Sequence, residues 1–467
     1  MISSTTEGSA SPASSRSQLV EALYKASRPR SRHAHWQRVA ERGQLLVTNG
    51  TRLFEVGHDV LAQLDAAARI GDPAVEQLLG NLGVSDSDLI DDVPLRSPPL
   101  HALSLAVAQK CNLGCTYCYA NQGNFGGPAK NISWGTARRA VELLVGGATA
   151  GLRVNLAFLG GEPLANRQVL RSATEYAAHL AGERGVHVSF SITTNGTLLS
   201  EEDAAFFERY GFAVTVSLDG LREAHDLQRP FKHGGGSFEQ IMSRVRPLLA
   251  IQRQMQVSVR ATITPGNLRL RESLDYFLGI GFHSVGFSPL LRSPAGSGEM
   301  ESGDLAQLLE AMVDCGAEFE RRVRRGERYA FNNMVNAMRE LHRGTHRPYP
   351  CGAGAGYLGV SADSALAACH RFVGEREGAM GNLREGIDRE RQNRWLAERH
   401  VHRQQPCADC WARYLCSGGC HHEVLARERN ACDYIRGWLH YCLQAYARLS
   451  RARPNWFEGI AGLDRNV

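Results

Sequence analysis

The chain of 467 residues has no apolar run long enough to span a bilayer, and its opening stretch, MISSTTEGSASPASSRSQ, lacks the apolar core of a secretion signal. A dominant charge is missing too, because 53 Lys and Arg against 48 Asp and Glu leave a net charge of only +5. That balance offers no polycationic footprint and argues against a nucleic-acid partner. Together these absences imply a cytoplasmic protein away from the membrane, with residues 1–32 expected as a disordered, Ser/Thr-rich leader. Hydrophobic residues at 43% suffice for a sizeable core, and the length implies two or three domains. Cysteine is the abundant exception, with twelve copies. In a reducing compartment, clustered cysteines point to metal or redox chemistry before disulfides.

Asn49-Gly50 lies between two strand-like runs in RGQLLVTNGTRLFEVG, a hairpin signal. Two helical patterns follow. The second opens at Asp72 with Pro73 in its first turn and carries Val75, Leu78, Leu79 and Leu82 on one face. Residues 33–92 are therefore expected to form a small α+β module, with DDVPLRSPP as a linker. From about residue 100 to 300 the runs LSLAVA, VNLAFL, VSFSITT, AVTVSL, VSVRATI and VGFSP alternate with helical patterns. One of these helices is WGTARRAVELLV, capped by Ser133 and presenting Ala137, Ala140, Val141 and Leu144. The alternation predicts an α/β domain with a helix-covered parallel sheet, open or closed into a barrel, whose site lies at the carboxyl ends of the strands. A long helix is expected over 302–326 within linking helices at 301–345. Residues 346–450 read as irregular, Cys/Gly-rich and metal-stapled.

Directly after the first strand comes AQKCNLGCTYCYANQG, which places Cys111, Cys115 and Cys118 within eight positions. Three readings compete: buried small residues, part of a zinc site, and an iron–sulfur cluster. Structural zinc wants four protein ligands, commonly in two pairs. A cubane [4Fe–4S] cluster accepts three thiolates and leaves one iron for another ligand, which suits a loop at a strand end.

Cys-x3-Cys-x-aromatic-Cys after a first strand, with Tyr117 in the aromatic place, resembles the radical S-adenosylmethionine (SAM) superfamily. LGGEP, with Gly160, Gly161, Glu162 and Pro163, ends the second run, where that superfamily contacts the methionyl amine of SAM. TTNGT, around Asn195, ends the third. VSLDG ends the fourth, and its Ser217 and Asp219 resemble the ribose contact. Arg229, after AHDLQ, matches an arginine that pairs with the SAM carboxylate in relatives. The resemblance covers about residues 100–291 and implies a partial (β/α)6 barrel. It also implies chemistry in which an electron from the cluster cleaves SAM to a 5′-deoxyadenosyl radical.

Nine further cysteines follow. Cys315 falls on the apolar stripe of the long helix and reads as a core thiol. Cys351, Cys369, Cys407, Cys410, Cys416, Cys420, Cys432 and Cys442 resemble the Cys-rich SPASM extension, which carries two auxiliary iron–sulfur clusters of [4Fe–4S] type. The resemblance implies Cys351, Cys369 and Cys420 for one cluster and Cys407, Cys410, Cys416 and Cys432 for the other, with Cys442 as the alternative to Cys432. A zinc ribbon is the competing reading of CADCWARYLCSGGC. Sulfatase-maturing members carry an acid directly after the second of these cysteines; here His370 stands there, and CHRFVGE is more similar to thioether-forming peptide maturases. His370, His421 and His422 read on their own as ordinary hydrogen-bonding histidines, and RRVRRGER as a solvated helix end.

The 33–92 module resembles the winged-helix-like element that binds leader peptides by strand addition. CNLGCTYCYANQGNFGG and LAFLGGEPLANRQVL are most similar to the maturation proteins of quinohemoprotein amine dehydrogenase, which join cysteine sulfur to Asp or Glu side-chain carbons in a small subunit. The implied partners are a peptide or small-protein substrate and an external electron donor such as flavodoxin or ferredoxin. The other readings are a maturase making α-carbon thioethers in short Cys-rich peptides and, from a different class, an iron–sulfur electron carrier or peptide-binding scaffold. The catalytic base, the substrate and the oligomeric state are not legible.

Overall fold

All six alternating runs become parallel strands, and they lie side by side in chain order. The computed structural model describes residues 12–85, 89–294, 296–425 and 429–462, with the side chains of 12–17 and 460–462 left aside. The barrel strands are Ala102–Gln109, Arg153–Gly160, His187–Thr194, Ala213–Ser217, Gln256–Ile263 and Val285–Pro289. Each pairs in parallel with the next. Helices run back between them, as right-handed crossovers require. Ser133 caps Trp134–Gly146 by accepting from the Thr136 amide at 3.1 Å, and Ala137, Ala140, Val141 and Leu144 are buried as the spacing predicts.

The sheet does not close, because the first and sixth strands are not hydrogen-bonded to each other. The free edge of the first strand is taken instead by Tyr357–Val360, in parallel, and three antiparallel strands extend from there into the C-terminal region. This is the expected partial (β/α)6 barrel, carrying a Cys-rich C-terminal region on its edge. The first strand, central in the extended sheet, is buried almost throughout, which explains its unbroken apolar run.

Three expectations are corrected. Residues 1–32 are not wholly a disordered leader: residues 1–11 lie outside the described residues, but Pro12–Ser27 forms a helix. Val20 and Leu23 are buried, and the helix packs on Cys432–Ala452 and on Ser302–Arg324. The apolar spacing in QLVEALYKA supports that helix, but the Ser-rich prefix obscures it. Leu82 does not join the buried face of its helix, because Asp72–Asn81 ends before it and leaves it 37% exposed. The Cys-rich region is less irregular than expected, since Arg389–Arg399 and the 21-residue Cys432–Ala452 are helices.

The N-terminal module is a three-stranded antiparallel sheet, Ala34–Val39, Arg42–Val47 and Arg52–Val56, covered by helices His58–Ile70 and Asp72–Asn81. Gly50 turns the second strand into the third at φ 78°, a left-handed backbone that favours glycine. The module has its own core around Trp36, Leu45, Leu64 and Val75. It docks on the C-terminal region through His35, which stacks on Trp411 at 4.0 Å and meets His440 at 2.8 Å. The Trp411 indole donates to the Ser27 carbonyl at 2.8 Å. Among the described residues no helix is long and apolar enough to cross a membrane.

Replacing Trp411 by Ala removes both the stacking surface and the indole donor, at a cost of about 3–5 kcal/mol. Thermal melting is expected at lower temperature, with faster proteolytic cleavage around residues 28–33. Wild-type resistance to cleavage there would contradict the docking.

Candidate functional site

At the carboxyl ends of the first two strands the chain makes room for a loop by omitting side chains. A Cβ on Gly160 would lie 2.5 Å from the Ala108 carbonyl oxygen, and one on Gly161 would lie 2.2 Å from that of Lys110. The space holds hydrogen bonds, from the Gly161 amide to Ala108 at 2.7 Å and from the Glu162 amide to Lys110 at 2.9 Å. Gly123, at φ 97°, packs against Gly161 and Cys111 just as tightly. The cysteine loop is clamped from its other side by residues 228–232. Thr116 and Gly114 donate to the carbonyls of Gln228 and Pro230 at 3.1 and 2.8 Å, and Lys232 donates to Asn112 at 3.1 Å.

Cys111, Cys115 and Cys118 thereby stand together on the wall of one cavity of about 1140 Å³. Burial raises the pKa of the Cys111 thiol and pushes that of Cys115 up to about 12. Thiols so placed stay protonated until a metal takes the proton's place. Amides of Leu113 and of the Asn195 side chain each approach the Cys111 sulfur at 3.5 Å.

Gly161, Asn195, Ser217 and Arg229 also line the cavity. Two residues expected at the ligand are set behind it. Glu162 is fully buried and accepts from the amides of Leu164 and Asn195 and from the Thr194 hydroxyl, at 3.1, 2.7 and 2.7 Å. Its carboxylate holds the second and third strand ends together. Of Ser217 and Asp219, only Ser217 reaches the cavity wall. Asp219 accepts from the Tyr117 hydroxyl and from the Thr262 amide, and lies 3.7 Å from Arg229. Arg229 donates to the Tyr117 hydroxyl at 2.6 Å, while its Nε is buried without a partner. An orphaned guanidinium donor on a cavity wall fits a carboxylate ligand.

The sequence reading missed His225, which anchors this arrangement. Its Nδ1 accepts from the Asp219 amide at 3.2 Å, so the ring proton sits on Nε2, 3.0 Å from the Ser237 hydroxyl. Ser237 in turn donates to the Arg229 carbonyl at 2.7 Å. One neutral imidazole thus ties the backbones of Asp219 and Arg229 together. The only sequence signal was a His four residues before Arg229, with no periodicity to mark it.

Farther along the cavity wall lie His370, Arg371 and Cys420. Arg371 donates to Glu423 at 2.7 Å, approaches the Cys420 sulfur at 3.6 Å and lies over the Tyr119 ring at 5.6 Å. His370 meets the Tyr357 hydroxyl at 2.8 Å, and burial lowers its pKa to about 4. The later cysteines fall into two sets within electrostatic reach of one another. Cys351, Cys369 and Cys420 form one set, and Cys407, Cys410, Cys416 and Cys432 the other. Cys442 belongs to neither: it is buried in the core, 4.0 Å from the Met334 sulfur. Cys315 is a core thiol, as its stripe predicts. Among the described residues no three His, Cys, Asp or Glu side chains converge as they would on a single metal ion.

Residues 105–275 match the family model of the Radical SAM superfamily. This segment has the radical SAM fold. The thiol sets and the unpaired Arg229 donor fit iron–sulfur clusters and S-adenosylmethionine. The serine-type anaerobic sulfatase-maturating enzyme of Klebsiella aerogenes is 26% identical over 339 residues, covering 70% of this chain and 80% of that one. A cysteine-type anaerobic sulfatase-maturating enzyme of Clostridium novyi is 32% identical over 157 residues, 32% of this chain and 40% of the relative. The structure of native anSMEcpe with bound AdoMet aligns with TM-score 0.62 at 20% identity, over 77% of this chain and 100% of that one. Streptococcus suis SuiB bound to precursor peptide SuiA aligns with TM-score 0.51 at 14% identity, over 85% and 96%. At those identities the two structures speak for the shared fold.

His225 yields a pH test. Burial lowers its pKa to about 3, whereas the unfolded chain binds the proton near pH 6.5. Folding stability is therefore lost as pH falls below 6.5, by up to about 1.4 kcal/mol per pH unit for this one site. His225→Gln should lower stability at pH 7 and reduce the slope between pH 6.5 and 5 by nearly one proton, as read from urea midpoints. An unchanged slope would contradict a neutral, buried imidazole.

Proposed function

We propose that the chain is a radical SAM maturase that modifies a peptide or small protein, and that the modification is a thioether bond. The observation that carries this reading is the single cavity reaching from Cys111, Cys115 and Cys118 at one end to His370 and Cys420 at the other. A peptide residue in that space would lie between two sites able to hold iron–sulfur clusters.

Cys111, Cys115 and Cys118 would hold the SAM-binding [4Fe–4S] cluster. Cys351, Cys369 and Cys420 would hold one auxiliary cluster, and Cys407, Cys410, Cys416 and Cys432 the other. When bound, the cluster and SAM supply a 5′-deoxyadenosyl radical able to take hydrogen from an unactivated carbon. Arg229 offers its unpaired Nε to the SAM carboxylate, and Tyr117 and Asp219 keep that guanidinium charged and aimed. The Gly161 backbone, Asn195 and Ser217 shape the remaining SAM contacts, with Glu162 fixing Asn195 from behind. The barrel wall keeps water from the reacting carbon.

His370 supports thioether formation over the sulfatase type. It stands where sulfatase-maturing members carry an acid, so no carboxylate base is available there, and burial lowers the basicity of its imidazole, to a pKa of about 4. Similarity of the CNLGCTYCYANQGNFGG stretch points further, to the small subunit of quinohemoprotein amine dehydrogenase as substrate, with Asp or Glu carbon as the sulfur's partner. Among the described residues the strand Arg52–Val56 pairs with one neighbouring strand, and its other edge would receive a leader segment by strand addition. A flavodoxin or ferredoxin would supply the electrons.

Anaerobic, reduced enzyme should release 5′-deoxyadenosine and lighten its substrate by two hydrogens per bond, since one C–H and one S–H are replaced by C–S. The cysteine used should stop reacting with iodoacetamide. Replacing Cys111, Cys115 and Cys118 together by Ala should abolish SAM cleavage and remove iron equal to about one cubane. A product that exchanges sulfur for oxygen, or that loses two hydrogens while keeping its alkylatable cysteine, would favour the sulfatase-type alternative, and no 5′-deoxyadenosine would defeat both.

A further inference from the structure

The fifth barrel strand, Gln256–Ile263, alternates: Val257, Val259, Ala261 and Ile263 are buried, and Gln256, Ser258, Arg260 and Thr262 between them line the cavity. Arg260 is one of the lumenal set and lines the cavity. In register it sits between Ser217 of the fourth strand and Gly286 of the sixth, and its guanidinium donates to the Ser288 hydroxyl. A hydroxyl does not neutralise a guanidinium. The two carboxylates on the cavity wall are already engaged, Glu423 by Arg371 at 2.7 Å and Glu327 by Arg322 at 2.8 Å. Among the described residues Arg260 has no ion-pair partner of its own. Its side chain is exposed to the cavity space, so an unpaired guanidinium on that wall is open to an anionic ligand, with which it would form a charge-assisted pair.

Position selects the anion. Arg229, at the cysteine loop, is placed for the carboxylate of SAM. Arg260 lies past Ser217, toward the Arg371–Glu423 pair beside Cys420. We propose that Arg260 is the specificity residue for the substrate, pairing with the side-chain carboxylate of the Asp or Glu whose carbon is joined to sulfur; this rests on the thioether reading above. A planar guanidinium holds a carboxylate in two-point contact, which would fix the adjoining methylene between the Ser217 side of the cavity and the Cys420 side. It also explains how an acidic residue would be chosen over its amide, because an amide carries no charge to pair with the guanidinium.

The test uses the fully loaded enzyme with SAM and two fluorescent synthetic peptides, each with one Cys and either Glu or Gln a few residues away. Wild-type enzyme should bind the Glu peptide about 10- to 100-fold more tightly than the Gln peptide. Arg260→Gln should erase that preference by weakening only the Glu peptide, and Arg260→Lys should keep part of it. Iron content and the visible iron–sulfur absorbance establish that each variant is loaded and folded. Equal affinity of wild-type enzyme for the two peptides, including no binding of either, would overturn the inference. So would an Arg260→Gln variant that loses affinity for SAM while keeping the peptide preference. If the preference holds but the bound peptide keeps its alkylatable cysteine, the thioether reading fails and carboxylate recognition by Arg260 stands.

Discussion

Where the first two barrel strands end, backbone meets backbone with no space for a methyl group between them. The carbonyls of Ala108 and Lys110 receive the amides of Gly161 and Glu162, and Gly123 closes over both. Every other feature of the first thiol set follows from that contact. It seats the cysteine loop on the sheet, brings Asn195 within reach of the Cys111 sulfur, and leaves Glu162 buried as the strut between strand ends. Because the contact is made by main chain, larger residues at Gly160 or Gly161 cannot be accommodated by a rotamer change.

The second constraint is the unclosed edge of the barrel. A closed barrel would leave the first strand no partner for a C-terminal segment. Here Tyr357–Val360 pairs with it directly, and the Tyr357 hydroxyl reaches Ser104 at 2.9 Å and His370 at 2.8 Å. Cys369 therefore rides on the same sheet as Cys111. The Tyr119 ring, one residue beyond Cys118, lies beneath the Arg371 guanidinium that approaches Cys420. Two sets of thiols far apart in sequence thus share one frame, with Cys111, Cys115, Cys118 and Cys420 on the wall of one cavity.

The barrel strands were legible because each is a short β-rich run punctuated by a helix, and the cysteine loop because its spacing is dense and follows a strand. Ser133, with its cap and helix face, was read correctly for the same local reason. The N-terminal helix was obscured by Ser-rich residues, and the long Cys432–Ala452 helix by the cysteines at its start. Which carboxylates face a ligand was not legible at all. Glu162 and Asp219 sit in motifs that suggest contact, but whether a side chain turns to the cavity or to its neighbours depends on packing from Thr194, Tyr117 and Thr262, which are distant in sequence. His225 escaped notice because its role is to join two backbone groups. Arg260 lay in plain view as a charge in an alternating strand, and only the lumen gave it meaning.

The central claim is that one cavity joins a SAM-binding cluster to an auxiliary cluster. Iron anomalous diffraction from anaerobically reconstituted crystals tests it most directly. The account predicts one iron cluster on Cys111, Cys115 and Cys118, a second on Cys351, Cys369 and Cys420 at the far wall of the same cavity, and a third on Cys407, Cys410, Cys416 and Cys432. Iron confined to the first set, or zinc in place of iron at Cys420, would contradict it.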